Sequence, residues 1–468
     1  MAKKVVPEQQ LPLAPYRNQQ LFSDYYLANT LPQRADWQAL AVQAQPVMAK
    51  IAAIFKKYKP SENEPQTEDG FVKPVLQALG HTCEIQAPLA TAEGTKKPDY
   101  IFYLDEDALN ANKGRRLDDH LLQGKAFAVG DAKYWDRPLD VTSKKIGSDP
   151  FSNKNPSYQI AFYMQHSGLE WGILTNGRLW RLYHRATAHK LDHFYEVDLP
   201  MLLQRGDLEQ FLYFYAFFHR SAFDAHPLGV SAILKESIDY AQGVGESLKR
   251  QVYEALCHVA QGFLDYAPDG LSPDDPAILK DIYDNSLILL YRLLFILYAE
   301  ARDLLPLSES KLYREHYSLY ALNHRITGEL DAGVELLANS ETLWSSFKQL
   351  FDYINVGAPP LKIATFNGGL FDPQKHPFLE QHKVGDAQLQ QAMNLLARID
   401  GQFIDYRDLS IRDLGTIYEA CWNITWRRQK GKHRTVGPST CSTTRGSAKP
   451  RAATTRPATS SNISSNKR

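Results

Sequence analysis

The stretch KAFAVGDAKYW, residues 125–135, decides the fold of this chain. It runs from small and apolar residues into an abruptly polar end, which predicts a strongly apolar strand that ends in polar residues. Side chains alternate along a strand, so Asp131 and Lys133 face one side of the sheet while Ala132 faces the other. The stretch therefore predicts a strand whose end presents a carboxylate beside an ammonium group.

A second predicted strand, KPDYIFYL at 97–104, carries another carboxylate. Asp99 follows Pro98 at the head of this strand, 32 residues before Asp131. If the two strands are neighbours in the sheet, the two carboxylates converge on one point.

These groups suit a divalent cation, because carboxylate and carbonyl oxygens are the ligands that Mg²⁺ prefers. We therefore predict a magnesium site formed by Asp99, Asp131 and the backbone carbonyl of Ala132. Lys133 would orient or help to deprotonate the attacking water and balance the charge on a phosphate, while the metal polarises the phosphoryl oxygen. Together these residues predict metal-assisted hydrolysis of a phosphodiester.

The segments on the N-terminal side of the two strands, and between them, predict a helix and an irregular insert. EDGFVKPVLQALG, residues 68–80, has the pattern of a helix that ends at Gly80. The charged residues 105–124 predict a loop or a hairpin.

The segments on the C-terminal side predict a helix and then a hairpin. NPSYQIAFYMQHSG, residues 155–168, opens with Pro156 in the manner of a helix start. WGILTNGRLWRLY, residues 171–183, predicts two strands joined by the turn Asn176-Gly177. The whole order of helices and strands predicts one compact α/β domain.

The ordered set of residues resembles the PD-(D/E)xK nuclease family. The resemblance implies that Asp99 and Asp131 are metal ligands and that Lys133 is the catalytic lysine. It implies that Glu68 is an acidic accessory from the first helix. Gln159-xxx-Tyr163 matches the QxxxY extension of one branch of that family, which implies that Gln159 positions a phosphate or a water and that Tyr163 braces its helix.

The fold class follows as an α/β nuclease domain with a mixed sheet flanked by helices, an all-α connector domain and a disordered basic tail. Apolar stripes with a helical period support the all-α part. The predicted divisions are an N-terminal helical segment at 1–60, the nuclease domain at 61–195, the connector at 196–404, the start of a methyltransferase domain at 405–434 and the tail at 435–468.

Composition excludes several other classes of protein. With 44% hydrophobic residues the chain can bury sizeable cores, and four scattered cysteines without a CxxC pair argue against a disulfide scaffold or a structural zinc site. The apolar stretch 286–299 contains Arg292 and is shorter than the roughly 20 residues of a spanning helix, so it predicts a core helix. No apolar run follows the first residues, so we expect no signal peptide and a soluble, cytoplasmic protein.

The net charge of zero conceals an asymmetry between the body and the tail. Residues 427–468 carry 11 Lys and Arg and no Asp or Glu, which leaves 42 basic against 53 acidic side chains before them. Contact of the body with the backbone of double-stranded DNA therefore needs a local basic face. The candidates near the site are Lys73, Lys96, Lys97, Lys144, Lys145 and Lys154, for which a solvated charged surface is the alternative interpretation.

A wider resemblance covers about residues 10–434. FSDYYL (22–27), the nuclease set, the predicted hairpin, FNGGLFD (366–372) and DYRDLSIRDLGTIYEACWN (405–423) look like Type IIG restriction enzymes, which fuse a nuclease to a helical connector, an adenine-specific methyltransferase and a target-recognition domain. The methyltransferase motifs do not follow here, so S-adenosylmethionine is not expected to bind this chain. We expect a frame change near residue 435, and the alternative is a genuine basic tail that binds nucleic acid.

Two other functions stay open at this point. If the predicted nuclease is not active, the chain is either an inactive, truncated restriction–modification fragment or a non-catalytic DNA-binding module. A methyl-transfer site at Asn155-Pro156-Ser157-Tyr158 is rejected, because the third residue is Ser, the segment opens a helix and no glycine-rich cofactor loop follows an upstream strand.

Overall fold

The computed structural model describes residues 14–91, 94–117, 122, 124–141, 153–366, 368–409 and 411–422. The predicted tail at 435–468, together with Lys144 and Lys145, lies outside these residues.

A seven-stranded mixed sheet forms the N-terminal part of the molecule, as the predicted α/β class requires. Its strands and two small hairpins are β1 Arg17–Gln19, β2 Thr82–Ile85, β3 Leu89–Thr91, β4 Gly94–Lys96, β5 Tyr100–Tyr103, β6 Ala126–Ala132, β7 Trp171–Thr175, β8 Leu179–His184, β9 Phe194–Asp198, β10 Arg398–Ile399 and β11 Gln402–Phe403. The order in the sheet is β1-β9-β8-β7-β6-β5-β2. β6 and β7 pair in parallel and the other neighbours pair antiparallel, which includes the predicted β7–β8 hairpin.

Helices account for most of the remaining described chain. They are α1 Ala35–Lys57, α2 Glu64–Thr67, α3 Lys73–Ala78, α4 Glu106–Asn112, α5 Pro156–Ser167, α6 Leu199–Arg205, α7 Leu208–Phe218, α8 Val230–Asp265, α9 Pro276–Ala301, α10 Lys311–His316, α11 Leu319–Asp331, α12 Thr342–Val356, α13 Pro377–Gln381, α14 Asp386–Ala397 and α15 Ile411–Trp422. The prediction of a loop or hairpin at 105–124 was wrong for α4. A local contact favours the helix, since the Asp105 side chain caps α4 by accepting a hydrogen bond from the Ala108 amide at 2.7 Å.

The two faces of the sheet pack against different helices. Ala128 and Ala132 of β6 lie in the core that contains side chains of α1, α3 and α7. Val129 lies in the opposite core, together with Ile160 and Met164 of α5. Alternation along β6 therefore turns Asp131 toward the side of the sheet that α5 covers.

Residues 64–78 form one continuous helical rod at the edge of the first core. α2 begins after Asn63, whose side chain accepts from the Gln66 amide at 3.1 Å. A π-helical turn at Glu68–Val72 joins α2 to α3, immediately before Pro74, which cannot donate a backbone hydrogen bond. The chain leaves α3 through Gly80 at φ +78°, the left-handed conformation that its predicted place at the helix end requires.

The C-terminal helices enclose a third core. α8 connects it to the core on the first face of the sheet, since Ile233 near its start packs with the sheet while Leu256 and Phe263 pack with the helices. Among the described residues, α9 is the one helix long and apolar enough to cross a membrane by length and composition. Its most apolar window is 61% buried inside the helical core, which is consistent with the core helix of a soluble protein.

Candidate active site

The structure places Asp99 and Asp131 side by side. β5 and β6 are antiparallel neighbours with Tyr100 opposite Gly130, so the register carried one residue further sets Asp99 opposite Asp131. The Asp99 side chain reaches across and accepts a hydrogen bond from the Ala132 amide at 2.7 Å. The convergence that the sequence predicts for these two carboxylates is present.

Lys133 lies against the same pair. Its Nζ atom is 2.5 Å from Asp131 Oδ2, and the two side chains are 15% and 4% exposed. The contact therefore pairs the ammonium of Lys133 with a buried carboxylate. Ala132 between them points the other way and is fully buried in the core.

The backbone amides of Ala132, Lys133 and Trp135 hold the end of β6 to different parts of the chain. The Ala132 amide donates to Asp99, and the Lys133 amide donates to the carbonyl of Thr175 in β7 at 2.8 Å. The Trp135 amide donates to the segment around α2, and the Tyr134 backbone acts to lower the pKa of the nearby Glu64. Residues that are remote in sequence are brought together at this one strand end.

Glu64 is the acidic residue that the sequence analysis missed. It lies at the start of α2, and its carboxylate interacts with Lys133 and Asp131 as well as with the Tyr134 backbone. The signal was available, because Asn63 followed by Glu64 and Pro65 is a typical helix start.

Glu68, the predicted accessory, lies one helical turn further on. Its Oε2 atom accepts from the Tyr100 hydroxyl at 2.7 Å and lies 3.9 Å from Lys73 Nζ. Its charge raises the pKa of Asp99, so it is part of the same electrostatic environment.

Burial and crowding of acids shift the protonation of the site. Burial raises the pKa of Asp131 to about 7 and that of Asp99 to about 6, and the nearby Lys133 offsets only part of each rise. Burial also raises the pKa of Glu64. For Lys133 burial acts to lower the pKa, yet Asp131 and Asp99 raise it above its ordinary value, so this ammonium stays charged. The site holds more acid than one ammonium neutralises.

A divalent cation fits this donor set. Within the described part of the chain no three His, Cys, Asp or Glu side chains are grouped closely enough to hold a metal by themselves. Mg²⁺ commonly uses one or two carboxylates and keeps several waters, and the neighbouring carboxylates of Asp99 and Asp131 supply that number here. Asp99, Asp131 and the Ala132 carbonyl therefore remain the residues that would hold it.

Helix α5 supports the Asp99 side of the site. The Tyr163 hydroxyl donates to the carbonyl of Lys97 at 2.7 Å, two residues before Asp99. Gln159 is 2% exposed and lies one helical turn before Tyr163. The structure thus assigns Tyr163 a contact with the strand that carries Asp99, and the role of Gln159 stays a prediction.

The predicted basic face is only partly exposed. Lys96 is 1% exposed, so it does not contribute to a surface for DNA, whereas Lys97 is exposed. Lys73 pairs with Asp69 at 2.6 Å, and Lys154 is half-buried. Among these described lysines, Lys97 is the most accessible to a phosphate backbone.

Comparison of the chain with protein-family models, with curated proteins and with solved structures found no match.

Proposed function

We propose that this chain is a Mg²⁺-dependent DNA endonuclease of the PD-(D/E)xK type, the nuclease part of a Type IIG restriction–modification enzyme, acting in the cytoplasm on double-stranded DNA. The observation that carries the proposal is the position of Asp99 opposite Asp131, with the Lys133 ammonium 2.5 Å from the Asp131 carboxylate. Two carboxylates and a lysine at the ends of neighbouring strands are suited to hydrolysis of a phosphodiester.

Each residue of the site has a distinct task in this reaction. Asp99 and Asp131 would hold the cation, and when bound it would supply Lewis-acid stabilisation of the phosphoryl oxygen. Lys133 carries a permanent positive charge beside Asp131, so it can hold a scissile phosphate and orient the attacking water. Burial of these groups strengthens their interaction with the phosphate, because charges interact more strongly out of water.

The proposal is tested by cleavage of supercoiled plasmid DNA with purified protein and Mg²⁺. Asp131→Ala and Lys133→Ala are expected to lower the cleavage rate at least about 100-fold, as loss of a group that stabilises transition-state charge does. Lys125→Ala and Asp107→Ala are matched controls, because Lys125 lies exposed at the other end of β6 and Asp107 lies exposed on α4. Equal nicking by wild type and both site variants would indicate a contaminant and contradict the proposal.

The same experiment separates the two alternative functions. An inactive fragment predicts no cleavage and no dependence of DNA binding on Mg²⁺. A non-catalytic DNA-binding module predicts binding that weakens with salt and is indifferent to Asp131→Ala.

A further inference from the structure

Thr67 lies between the two acidic residues of the α2 region and is completely buried. Its hydroxyl oxygen accepts hydrogen bonds from the Tyr58 hydroxyl and from the Trp135 amide, each at 3.2 Å. Its own proton faces the carbonyl oxygens of Ser61 at 3.0 Å and Asn63 at 3.1 Å. A hydroxyl has one donor and two acceptor positions, so this one is fully used.

Helix geometry explains only part of this arrangement. A threonine inside a helix commonly bonds the carbonyl four residues earlier, which accounts for the contact with Asn63. The contact with the Trp135 amide is different, because it joins α2 to the strand end two residues after Lys133. Thr67 therefore connects two elements that both contribute to the site.

A second interaction, beside that of Trp135 with Thr67, involves an acidic residue of α2. The Tyr134 backbone acts to lower the pKa of the nearby Glu64 carboxylate, so the strand end interacts with α2 near Glu64 as well as at Thr67. Without the Thr67 hydroxyl, the Trp135 amide keeps only the Ser61 carbonyl at 3.2 Å. The distance between α2 and the strand end would then no longer be fixed by the hydrogen bond to Thr67.

We propose that Thr67 is a positioning residue for the proposed nuclease, on which this inference rests. Its hydroxyl fixes the Glu64 and Glu68 carboxylates relative to Lys133 and thereby sets the Mg²⁺ requirement of the reaction. It touches neither substrate nor cation.

The test compares Thr67→Val with Thr67→Ser and with Thr327→Val. Valine keeps the shape of threonine without its hydroxyl, and serine keeps the hydroxyl. Thr327 is a matched control, since it is 3% exposed and bonds the Asn323 carbonyl at 2.8 Å four residues earlier, in α11. Displacing a positioned group costs large factors in rate, so Thr67→Val is expected to lower plasmid cleavage at least about tenfold and to raise the Mg²⁺ concentration for half-maximal rate.

Two further readouts do not need cleavage. The affinity for Mn²⁺, measured by paramagnetic resonance, is expected to fall in Thr67→Val, and amide hydrogen exchange of the peptide covering 133–136 is expected to quicken. Thr67→Ser and Thr327→Val are expected to match the wild type in both. If Thr67→Val does not fold, Tyr58→Phe removes one donor from the same hydroxyl and is expected to shift both readouts in the same direction by a smaller factor.

The outcomes distinguish this inference from the proposed function. A wild-type protein that does not cleave DNA refutes the nuclease, while Mn²⁺ affinity and amide exchange still test Thr67. Unchanged Mn²⁺ affinity, exchange and Mg²⁺ requirement in Thr67→Val would overturn the positioning role. A loss that Thr327→Val reproduces would overturn it too, because it would reflect stability alone.

Discussion

Two opposing effects act on the protonation of Asp131, namely its burial and the charge of Lys133. Burial favours its protonated form, while the Lys133 ammonium favours its charged form. The pKa of about 7 shows that burial and the neighbouring Asp99 outweigh the lysine. A group in this state binds either a proton or a cation, which links metal binding to pH.

The contribution of Asp99 and Asp131 to the stability of the metal-free protein is expected to fall as pH rises, against an opposite contribution from His81 and His219, whose pKa burial lowers. Asp99 and Asp131 have a raised pKa in the folded state, about 6 and about 7, so between about pH 4 and pH 7 the folded chain binds more protons than the unfolded chain. The stabilisation that these groups contribute is therefore present at low pH and is lost through this window, at about 1.4 kcal/mol for each unit of pKa shift. Urea unfolding at pH 5 and pH 8 in a chelator measures it.

Magnesium provides the discriminating control for that experiment. Glu300 and Asp408 also have a raised pKa of about 7, so they contribute to the same pH dependence but lie in other parts of the fold. Millimolar Mg²⁺ is expected to restore stability at pH 8 in the wild type and not in Asp99→Asn. A restoration of equal size in both proteins would remove Asp99 from the cation site.

At the scale of elements, α5 and β7 approach so closely that only glycine fits between them. A Cβ atom at Gly172 would lie 2.4 Å from the sulfur of Met164 and 3.1 Å from Ile160. The contact matters to the site because the same helix holds the strand of Asp99 through Tyr163. The position of α5 is therefore fixed by packing on β7.

Gly172→Ala is expected to destabilise the protein by about 1–3 kcal/mol, because overpacking displaces the helix. Thermal unfolding measures the change, and Met164→Ala is expected to cost less in the Gly172→Ala background than in the wild type, because the two positions are in contact. Gly243→Ala is the matched control, since a Cβ atom there meets nothing within 4 Å in the middle of α8. It is expected to stabilise slightly, by about 0.5–1 kcal/mol. Equal effects at the two glycines would contradict the close approach of α5.

A buried ion pair joins β8 to β9. Arg181 and Glu196 are directly opposite each other in the register, with side chains 3% and 6% exposed. Arg181→Met is expected to cost about 3 kcal/mol of unfolding free energy, because Glu196 would remain buried without its main partner. The double variant Arg181→Met, Glu196→Leu is expected to cost less in urea unfolding, and a larger cost would show that the charged pair itself stabilises the sheet.

Sequence predicted those elements whose signals are local. The Asn176-Gly177 turn and the start of α5 at Pro156 carry turn and cap chemistry, so both are where the sequence indicates. The three residues of β1 carry no such signal, since they become a strand only by pairing with β9. Tertiary contacts of this kind cannot be read from a single segment.

The residues of the site also divide into those that local sequence signals predict and those that depend on tertiary contacts. Strand alternation predicted that Asp131 and Lys133 share one side of β6, whereas the meeting with Asp99 depended on the pairing of β5 with β6, which the sequence left as a condition. The contact of Glu64 with the Tyr134 backbone depends on how α2 packs against the strand end, which no spacing in the sequence indicates. Burial of Lys96 was also unpredicted, because the β3–β4 hairpin, and not its charge, decides its environment.

At the scale of the whole molecule, the long helix α8 and polar contacts between distant segments join the sheet to the C-terminal helical core, and Asp408 makes two of those contacts. Asp408 accepts from the Ser23 hydroxyl at 2.6 Å and from the Asp24 amide at 2.7 Å. Ser23 belongs to FSDYYL and Asp408 to DYRDLS, two segments that the sequence analysis singled out without relating them. Their meeting ties the C-terminal helical region back to the start of the sheet.

Asp408→Ala is expected to uncouple the C-terminal helical core from the sheet. The substitution leaves the Ser23 hydroxyl and the Asp24 amide without their acceptor, which costs about 1–3 kcal/mol for buried groups. α8 still connects the cores, so the protein is expected to stay folded but to unfold in two calorimetric transitions that are further apart than in the wild type. Asp107→Ala, an exposed aspartate on α4, is the control and is expected to leave the profile unchanged. A wild-type profile in Asp408→Ala would mean that Asp408 does not couple the cores and that α8 and the remaining contacts are sufficient.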